Sequence, residues 1–506
     1  MPRILAIDQG TTGTTCLVID ERGAVRGRAY AEFPQYFPEA GQVEHDAREI
    51  WDVTLRVARE AVAAAVGAGG ADGAPVDAIG ITNQRETVVL WDRATGDPVH
   101  RAIVWQDRRT AARCRELKEA GREDWIRERT GLVLDPYFSA TKLEWLLDHV
   151  PGARERAEAG ELAAGTVDSW LIWKLTGGAV HATDPTNASR TLLYDIERLD
   201  WDDELLALFR IPRSLLPEVR PSSGSFGQTE AGLFGAPVPI AGVAGDQQAA
   251  LFGQGCCAPG LAKNTYGTGA FLLLNTGTER IVSDRGLLTT VACGARGEPC
   301  YALEGSIFIA GAAVQWLRDA LGIIASAPET EALARELTSN DGVYFVPAFA
   351  GLGAPHWEPE ARGTIFGLTR GSGRAHLARA ALEAMAYATR DVLEAMEADA
   401  GVETRELGVD GGAASNDWLM QFQADVLALP VRRPPLVETT ALGAAGLAGL
   451  ATGIWRDAAA FRAAQAGSVR FDPRMEAASR AALLEGWRRA VHAARAWAAV
   501  QPGIGR

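Results

Sequence analysis

The chain has 506 residues, of which 47% are hydrophobic and 23% are charged. This balance is typical of globular proteins, excludes fibrous and largely disordered chains, and at this length predicts about two to four domains. The 64 acidic residues outnumber the 50 basic ones, and the formal net charge of −14 argues against nucleic acids and anionic membranes as partners. A nucleotide is not excluded, because backbone amides and a metal ion can hold phosphate on an acidic protein.

Cysteine spacing and hydropathy indicate the compartment. The six cysteines include no C-x-x-C pair and no histidine cluster accompanies them, which predicts reduced thiols and no zinc site. The first ten residues lack the layout of a signal peptide, since Asp8 interrupts the apolar run. The longest uncharged stretch, 439–455, is rich in Ala and Gly and short for a membrane span, so we expect a buried helix there. These features predict a cytoplasmic protein without a membrane span.

In the first half of the chain, apolar periodicity predicts a β-meander followed by alternating helices and strands. The predicted elements, in chain order, are strands over 4–8, 16–20 and 24–31, a helix over 50–66, a strand over 78–82, a mostly helical region over 107–210, a loop over 221–239, a strand over 238–244 and a helix over 247–252. Such alternation is typical of layered α/β proteins.

The second half begins with the same pattern as the first. The strand, Gly/Thr turn and strand of 262–276 echo the strand, turn and strand of 4–20, which predicts two related α/β domains with a break between 250 and 260. The later predicted elements are helices over 310–321 and 376–398, a strand over 407–409, and a helix that begins at Asn416 and ends at Pro430.

Three turns rich in Gly, Thr or Ser follow predicted strands, over 8–15, 264–269 and 409–416. Glycines let the backbone approach an anion, and amides and hydroxyls can then donate hydrogen bonds to phosphate. The third turn precedes a helix N-terminus, a usual ligand position in α/β sheets, where a flat adenine could lie on Gly411-Gly412. Each segment is also typical of a plain turn, with an aspartate or asparagine as a cap.

Asp246 ends an apolar strand in the sequence AGVAGDQQAA. A carboxylate at this place could accept a proton from an alcohol that attacks phosphorus, but a cap for the helix of 247–252 fits the pattern equally well. Arg85 and Glu86 pair a fork-shaped donor with an acceptor, which suits a small polyol only at an irregular strand end and is also typical of an exposed ion-pairing loop. Candidate apolar walls for such a ligand are Trp105, Tyr137 and Phe271.

Taken jointly, these segments resemble the FGGY carbohydrate kinases of the actin/Hsp70/hexokinase ATPase superfamily, and within that family the glycerol kinases. The motifs that carry the resemblance run in consistent order from about residue 3 to about residue 455, and they are DQGTT, GITNQRET, AIVWQDRRTA, GLVLDPYFSATK, TDPTNASRT, AGDQQAALFGQ, AKNTYGTG and VDGGAASN. A single Gly/Thr turn is a weak signal, whereas this ordered set is specific. The combination of TNQRET, VWQ, DPYFS and GDQQ separates kinases of glycerol from those of xylulose, ribulose and gluconate.

The resemblance implies an α/β fold of two ribonuclease-H-like, actin-like ATPase domains that flank a central cleft, over 1–252 and 253–506. It implies that the first domain holds glycerol and the first phosphate turn, while the second binds ATP and its adenosine. The implied reaction is the phosphorylation of glycerol by ATP, with Mg²⁺, to sn-glycerol 3-phosphate as the entry step of glycerol catabolism. Relatives often form homodimers or homotetramers.

The resemblance also implies roles by position. Asp246 matches the catalytic base, and Asp8 together with Asp246 matches the position of Mg²⁺. The residues that match glycerol contacts are Arg85, Glu86, Trp105, Tyr137, Asp246, Gln247 and Phe271. The residues that match the nucleotide site are Thr11, Thr12, Gly13, Thr15, Thr268, Gly311, Gln315, Gly412 and Asn416. Thr15 stands where many relatives carry a basic residue, and the 228–238 segment lacks the sequences through which some relatives are regulated.

Two alternatives stay open at this point. Another sugar or polyol kinase of the same fold would prefer a pentulose to glycerol, and a substrate panel separates the two. A non-catalytic ATP-driven switch, as in Hsp70-like or actin-like proteins, would need a client-binding domain. The resemblance leaves only about fifty C-terminal residues, which are helical in pattern and rich in Ala and Arg.

Overall fold

Two large β-sheets form the body of the protein, and each is covered by helices. The computed structural model describes residues 1–67, 76–465 and 467–499. The first strand, RILAIDQ, is buried along most of its length, as expected where a sheet carries helices on both faces.

Among the described residues, the first half of the chain contains the first large sheet, several short strands and ten α-helices. The strands are β1 (Arg3–Gln9), β2 (Gly13–Asp20), β3 (Val25–Glu32), β4 (Glu44–His45), β5 (Ala78–Asn83), β6 (Val88–Asp92), β7 (Ala102–Ile103), β8 (Leu162–Thr166), β9 (Ala182–Thr183), β10 (Tyr194–Asp195), β11 (Asp200–Trp201), β12 (Glu218–Val219) and β13 (Ile240–Gly245). The helices are α1 (Ala47–Gly67), α2 (Ala111–Glu119), α3 (Glu123–Thr130), α4 (Ser139–His149), α5 (Ala153–Glu158), α6 (Val167–Leu175), α7 (Pro185–Ala188), α8 (Asp203–Leu208), α9 (Ala231–Phe234) and α10 (Asp246–Gly253).

The second large sheet and the longest helix lie in the second half. The strands are β14 (Leu261–Tyr266), β15 (Ala270–Gly277), β16 (Leu288–Cys293), β17 (Pro299–Ile307), β18 (Tyr344–Val346), β19 (Thr364–Phe366), β20 (Glu406–Gly411), β21 (Val431–Arg433) and β22 (Val469–Phe471). The helices are α11 (Gly311–Asp319), α12 (Glu329–Glu336), α13 (Arg374–Ala400), α14 (Asp417–Leu427), α15 (Thr439–Ala451), α16 (Ala458–Ala464) and α17 (Ala477–Ala499).

Five strands of the second large sheet repeat the topology of the first, and β16 and β22 extend the second sheet at its two edges. In the first sheet the order is β13-β5-β1-β2-β3, with β1, β2 and β3 antiparallel in sequence and β1, β5 and β13 parallel. In the second sheet the order is β16-β17-β15-β14-β20-β21-β22, where β14, β15 and β17 are antiparallel and β14, β20 and β21 are parallel. The echo predicted between 4–20 and 262–276 is therefore confirmed as two copies of the same arrangement.

Helices α10 and α15 pack against each other where the two halves meet. Helix α15 follows β21 of the second sheet, yet it lies on β1, β5 and β13 of the first. Glycines permit this approach, since a Cβ at Gly443 would lie 1.8 Å from the carbonyl oxygen of Ala249 and one at Gly253 would lie 2.1 Å from that of Thr439. The buried helix predicted within 439–455 is confirmed as α15.

The other predicted strands and helices are present with small shifts at their ends, and two regions differ. The mostly helical region of 107–210 also contains β8, which pairs with β6 in a four-stranded sheet with β4 and β7. Its sequence, LAAGT, is short and lacks β-branched or aromatic alternation. The predicted loop of 221–239 contains the short helix α9.

A helix spans the hydrocarbon core of a bilayer only when it is long and predominantly apolar. Within the described ranges, no helix has both the length and the hydropathy of a membrane-spanning segment.

Candidate active site

The first sheet brings three charged side chains to the ends of its parallel strands. Asp8 lies near the end of β1, beside Thr82 of β5, Arg85 follows β5, and Asp246 follows β13 as the first residue of α10. The Asp246 side chain is 31% exposed, and its Oδ1 lies 3.2 Å from Nε of Arg85. These strand ends form the edge at which α/β sheets commonly bind ligands.

Arg85 and Glu86 come together because the backbone turns sharply between them. Glu86 has a φ of +62°, in the left-handed region that such residues seldom adopt, and the Thr87 amide donates to the carbonyl oxygen of Arg85 at 2.7 Å. A three-residue turn with positive φ is strained, at a cost on the order of 1–3 kcal/mol. The Arg85 Nε then lies 3.8 Å from Oε1 of Glu86. The chain therefore has the irregular strand end that a shared ligand requires.

Two further charged residues join this pair in a buried network. Glu304, on β17 of the second sheet, accepts hydrogen bonds from Nη1 of Arg85 at 2.6 Å and from Nη2 at 3.0 Å. Arg190, just after α7, donates from Nε to Oε1 of Glu86 at 2.7 Å and from Nη2 to Oε1 of Glu304 at 3.0 Å. Burial alone would raise the pKa of Glu304, but the charges of Arg190 and Arg85 outweigh it and lower the pKa to about 2. Two cations and two anions thus compensate each other out of contact with water.

Trp105 and Tyr137 stand beside this network. Their rings meet edge to face with centroids 5.6 Å apart, and the indole N–H of Trp105 donates to Oγ1 of Thr11 at 2.9 Å. The Tyr137 hydroxyl lies 3.5 Å from Nη2 of Arg85, and burial raises the pKa of Tyr137. The predicted pocket wall therefore adjoins the predicted first phosphate turn.

The first Gly/Thr turn is a tight hairpin between β1 and β2. The Gly10 amide donates to the carbonyl oxygen of Gly13 at 2.9 Å, and Thr12 at the tip is exposed. Thr15 pairs with Asp8 across the two strands. The plain-turn interpretation and the phosphate-turn interpretation are thus compatible, because the hairpin exposes Thr12 at its tip and pairs Thr15 with Asp8.

Gln247 is tied to the second sheet through Lys263. The buried ammonium group of Lys263, on β14, donates to Oε1 of Gln247 and to Oγ1 of Thr265, the latter at 2.9 Å. An ammonium group only donates, so the contact turns the Gln247 carbonyl toward Lys263 and leaves its NH₂ group for other partners. Burial lowers the pKa of Lys263 to about 8, although the charges of Asp410 and Asp246 oppose the shift.

The second Gly/Thr turn is bonded to the N-terminus of α11. The carbonyl oxygen of Thr268 accepts from the amides of Ala310 at 2.8 Å and Ala312 at 3.0 Å, and that of Gly267 accepts from Gly311 at 3.0 Å. A Cβ at Gly311 would lie 2.6 Å from the Gly267 oxygen, so glycine is needed for this contact. The structure therefore places Thr268 and Gly311, both predicted nucleotide contacts, side by side.

Gly411 ends β20 next to this turn and Gly412 follows the strand, and the two glycines differ in their surroundings. Gly411 has a φ of +83°, and a Cβ there would lie 2.3 Å from the carbonyl oxygen of Tyr266. A Cβ at Gly412 would meet no atom of the described residues within 4 Å. Asn416 caps α14 through Oδ1, which accepts from the Leu419 amide at 2.9 Å, so the capping interpretation of Asn416 is confirmed. The open surface lies at Gly412.

Two of the predicted site residues lack side-chain contacts of these kinds within the described residues. Three residues that do contact the site were not predicted. Phe271 on β15 and Gln315 on the exposed side of α11 form no side-chain hydrogen bond or aromatic pair with the other predicted residues in the described part of the chain. Arg190, Glu304 and Lys263 are absent from the residues predicted from the sequence. Glu304 and Lys263 did leave a signal, since each is the single charged residue of a buried strand. Arg190 lies in the motif TDPTNASRT, but no role was predicted for it.

The surroundings of Asp8 fit a divalent cation. Burial raises the pKa of Asp8 to about 7, helped by the negative charges of Asp246 and Glu438. A cation would relieve this repulsion and favour the ionised carboxylate. The described residues hold no cluster of three or more metal-binding side chains, so a Mg²⁺ ion here would take most of its ligands from phosphate and water.

Two sheets of one topology, with charged strand ends on the first and glycine turns on the second, define a two-domain kinase of the actin-like ATPase fold. The chain belongs to the FGGY family of carbohydrate kinases, since residues 3–253 match the N-terminal domain of that family and residues 262–452 match its C-terminal domain. The family resemblance and the two-domain fold predicted from the sequence are thereby confirmed.

Individual relatives agree with this assignment. The chain is 61% identical to a glycerol kinase of Trichlorobacter lovleyi, covering 98% of this chain and 100% of that protein, and 58% identical to one of Deinococcus radiodurans, covering 98% of each. The crystal structure of Plasmodium falciparum glycerol kinase with ADP has a TM-score of 0.92 at 36% identity, covering 98% of each chain. A ligand-bound xylulose kinase from Lactobacillus acidophilus, 21% identical over 97% of this chain and 98% of that one, shares the fold with a TM-score of 0.87.

Proposed function

We propose that this protein transfers the γ-phosphoryl group of ATP to glycerol and yields sn-glycerol 3-phosphate and ADP. The observation that carries the proposal is the partly exposed Asp246 carboxylate, 3.2 Å from the Arg85 guanidinium at the converging strand ends. An acceptor for a hydroxyl proton therefore stands beside a donor for a neighbouring hydroxyl. Relatives named glycerol kinase, at 56–61% identity over 98% of this chain, support glycerol as the substrate.

The two halves of the chain divide the work. Residues 1–252 hold glycerol and the first phosphate turn, and residues 253–506 hold the adenosine part of ATP. The charged strand ends of the first sheet and the open glycine surface of the second support this division. This division describes which half of the chain binds which ligand. It does not describe how the helices pack, because α15 belongs to the second half and lies on the first sheet.

Glycerol offers three hydroxyl groups, each a donor and an acceptor, on a short apolar chain. The side chains that bind its hydroxyl groups are Arg85, Glu86, Tyr137, Asp246 and Gln247, and those that pack on its carbon atoms are Trp105 and Phe271. Because Lys263 holds the carbonyl end of the Gln247 amide, Gln247 acts as a donor toward glycerol.

Asp246 acts as the general base. It accepts the proton of a terminal hydroxyl group while that oxygen forms a bond to the γ-phosphorus in line. The bond from the γ-phosphorus to the bridging oxygen breaks, and ADP leaves with that oxygen. The protein contributes mainly alignment, since glycerol and ATP are held together on one site. Water resembles an alcohol closely enough that the cleft has to exclude it by shape.

The nucleotide lies across both turns. The residues that hold its phosphates are Thr11, Thr12, Gly13, Thr15 and Thr268, and those that line the nucleoside are Gly311, Gln315, Gly412 and Asn416. Asp8 and Asp246 would hold Mg²⁺ through its water ligands, and the ion, when bound, neutralises charge on the phosphates. The family resemblance further predicts a cytoplasmic homodimer or homotetramer, which light scattering on the purified protein measures.

The test is a substrate panel. The purified chain is incubated with ATP and Mg²⁺ and with glycerol, dihydroxyacetone, xylulose or gluconate, and ADP release is followed in a coupled assay. We expect the highest kcat/KM with glycerol. A preference for a pentulose or a hexonate over glycerol would overturn the proposed substrate. ADP release at the same rate with and without an acceptor would overturn the transferase activity.

A further inference from the structure

The donors of Arg85 are shared between the second sheet and the open side of the site. A guanidinium group has five N–H bonds in a fixed plane. Both N–H bonds of Nη1 are used, by Oε2 of Glu304 at 2.6 Å and Oε1 of Gln248 at 3.2 Å. One N–H bond of Nη2 is used by Oε1 of Glu304 at 3.0 Å. Glu304 therefore occupies the end of the fork formed by Nη1 and Nη2.

The other edge of the fork faces Asp246 and Tyr137, two of the residues proposed to bind glycerol. Nε and the second N–H bond of Nη2 point along parallel directions in this group. Their nearest neighbours are Oδ1 of Asp246, 3.2 Å from Nε, and the Tyr137 hydroxyl, 3.5 Å from Nη2. Two parallel donors, flanked by a carboxylate and a phenol, match two adjacent hydroxyl oxygens of a vicinal diol.

The two carboxylate oxygens of Glu86 also differ in their partners. Its Oε1 accepts from Nε of Arg190 at 2.7 Å, while no hydrogen bond from the described residues reaches its Oε2. Arg190 also bonds to Glu304 and lies over the ring of Phe138, with the guanidinium carbon 5.3 Å from the ring centroid. The Arg190 and Glu304 side chains are fully buried. Neither has access to solvent, so both act on the ligand through Arg85 and Glu86.

We propose that Glu304 and Arg190 are positioning residues, which decide the edge of Arg85 and the oxygen of Glu86 that meet the substrate and thereby select a vicinal diol. The proposal rests on the proposed function, in which Arg85 and Glu86 bind glycerol. It also gives the second sheet a part in substrate selection, because Glu304 reaches the pocket from β17.

The test compares Glu304→Gln and Arg190→Lys with Glu406→Gln. Glutamine keeps the shape of Glu304, but its NH₂ group cannot accept, so it cannot take all three bonds from the two guanidinium groups. Lysine keeps the charge of Arg190 without its fork. Glu406 is the matched control, since it also accepts hydrogen bonds from arginines, here Arg432, Arg462 and Arg470, but stands at the opposite end of β20 from Gly411. The glycerol KM, the ATP KM, kcat and Tm are measured for each, together with Ki values for 1,2- and 1,3-propanediol.

Loss of one charge-assisted contact should raise the glycerol KM by about 10- to 100-fold in Glu304→Gln and Arg190→Lys, with an ATP KM within about twofold of the parent. The preference for 1,2- over 1,3-propanediol should shrink, which a merely structural role would not cause. Glu406→Gln should lower Tm without changing either KM. Should Glu304→Gln fail to fold, Glu304→Asp, which keeps the charge at a shorter reach, is measured in its place.

Other outcomes separate this proposal from the one on which it rests. A glycerol KM and a diol preference that stay unchanged in both variants, while Arg85→Ala raises the glycerol KM, would reject the positioning role and leave the pocket in place. Glycerol and ATP KM values that rise together as Tm falls would show a structural role only. An unchanged glycerol KM in Arg85→Ala would reject the pocket itself.

Discussion

Asp246 and Asp410 each stand at the end of a buried parallel strand beside a glycine, yet their carboxylates have different surroundings. The Asp246 side chain is 31% exposed at the cleft and lies 3.2 Å from Nε of Arg85. Asp410 is 1% exposed, and its Oδ2 accepts from Nε2 of Gln254 at 2.9 Å and Oγ1 of Thr439 at 2.6 Å. The second carboxylate joins β20 to the segment after α10 and to α15, whereas the first is available to a ligand.

The role of an aspartate at a strand end therefore depends on elements that are distant in sequence. Asp246 stays open because its main partner, Arg85, is itself held by Glu304 and Gln248. Asp410 is occupied because α15 crosses to the first sheet and brings Thr439 within hydrogen-bonding distance. The same strand topology thus supplies a candidate base in one half and a structural link in the other.

The largest effect is expected for Asp246→Asn. Asparagine keeps the shape of the side chain but cannot accept the hydroxyl proton, so kcat should fall about 10²- to 10⁴-fold. Tm should change little, because this carboxylate is partly exposed and, among the described residues, its one ion pair is with Arg85. The coupled ADP assay and a thermal melt measure the two quantities. Turnover close to that of the parent enzyme would remove Asp246 as the base.

The two glycines that follow Asp410 give a matched pair. Gly412→Ala adds a methyl group where the nucleoside is proposed to pack. Crowding such a contact costs about 1–3 kcal/mol, so the ATP KM should rise by about 5- to 100-fold. The Tm of this variant should hold, since open space surrounds that position among the described residues. Gly411→Ala should instead lower Tm, because of its φ of +83° and the Tyr266 carbonyl oxygen 2.3 Å from the added Cβ. An unchanged ATP KM in Gly412→Ala would place the nucleoside elsewhere.

Asp410→Asn is the structural counterpart of Asp246→Asn. Both donors bond to Oδ2, so the amide oxygen of an asparagine can take that position but accepts as a neutral group. Exchanging two charge-assisted bonds for neutral ones should cost about 1–3 kcal/mol of the free energy of unfolding, which denaturant titration measures. The kcat of the folded fraction should stay near that of the parent. A large fall in kcat without loss of stability would reverse the roles assigned to the two aspartates.

Local patterns were enough for most of the fold. The Gly/Thr turns, the strands before them and the buried helix α15 follow from periodicity and from turn residues within short windows. Strand β8 did not, because LAAGT carries no alternation and is held by pairing with β6. Chain-order reasoning also could not show that α15 packs on the first sheet, which depends on close contacts such as the one between Gly443 and Ala249.

The site was predictable where its residues share a motif and not where they meet from a distance. Arg85, Glu86 and Asp246 lie in segments whose type is recognisable, and the structure brings them together. Glu304 lies 219 residues from Arg85 in sequence, and no local pattern announces such a pair. Asn416 shows the converse, since its local pattern predicts a helix cap and the cap is formed.

The smallest effect concerns Lys263, whose charge faces both aspartates. Its pKa is lowered to about 8 from 10.5, mainly by burial. Because the folded pKa lies below the unfolded value, the stability that this group contributes is present above pH 10.5 and is lost as the pH falls through about 8. Lys263→Met abolishes this titration, so its Tm relative to the parent should be most favourable at pH 7 and decline toward pH 10.

The control is Lys118→Met, which removes a lysine whose side chain is 43% exposed and not buried. Substitutions of Asp410 and Asp246 test which carboxylate has the larger effect on the titration of Lys263. Asp410 opposes the lowered pKa of Lys263 more strongly than Asp246 does, so Asp410→Asn should move the midpoint of the Lys263 titration to lower pH by more than Asp246→Asn. NMR of ¹⁵N-labelled lysine follows that midpoint directly. Equal shifts in the two variants would mean that the occupied and the open carboxylate act alike on the charge between them.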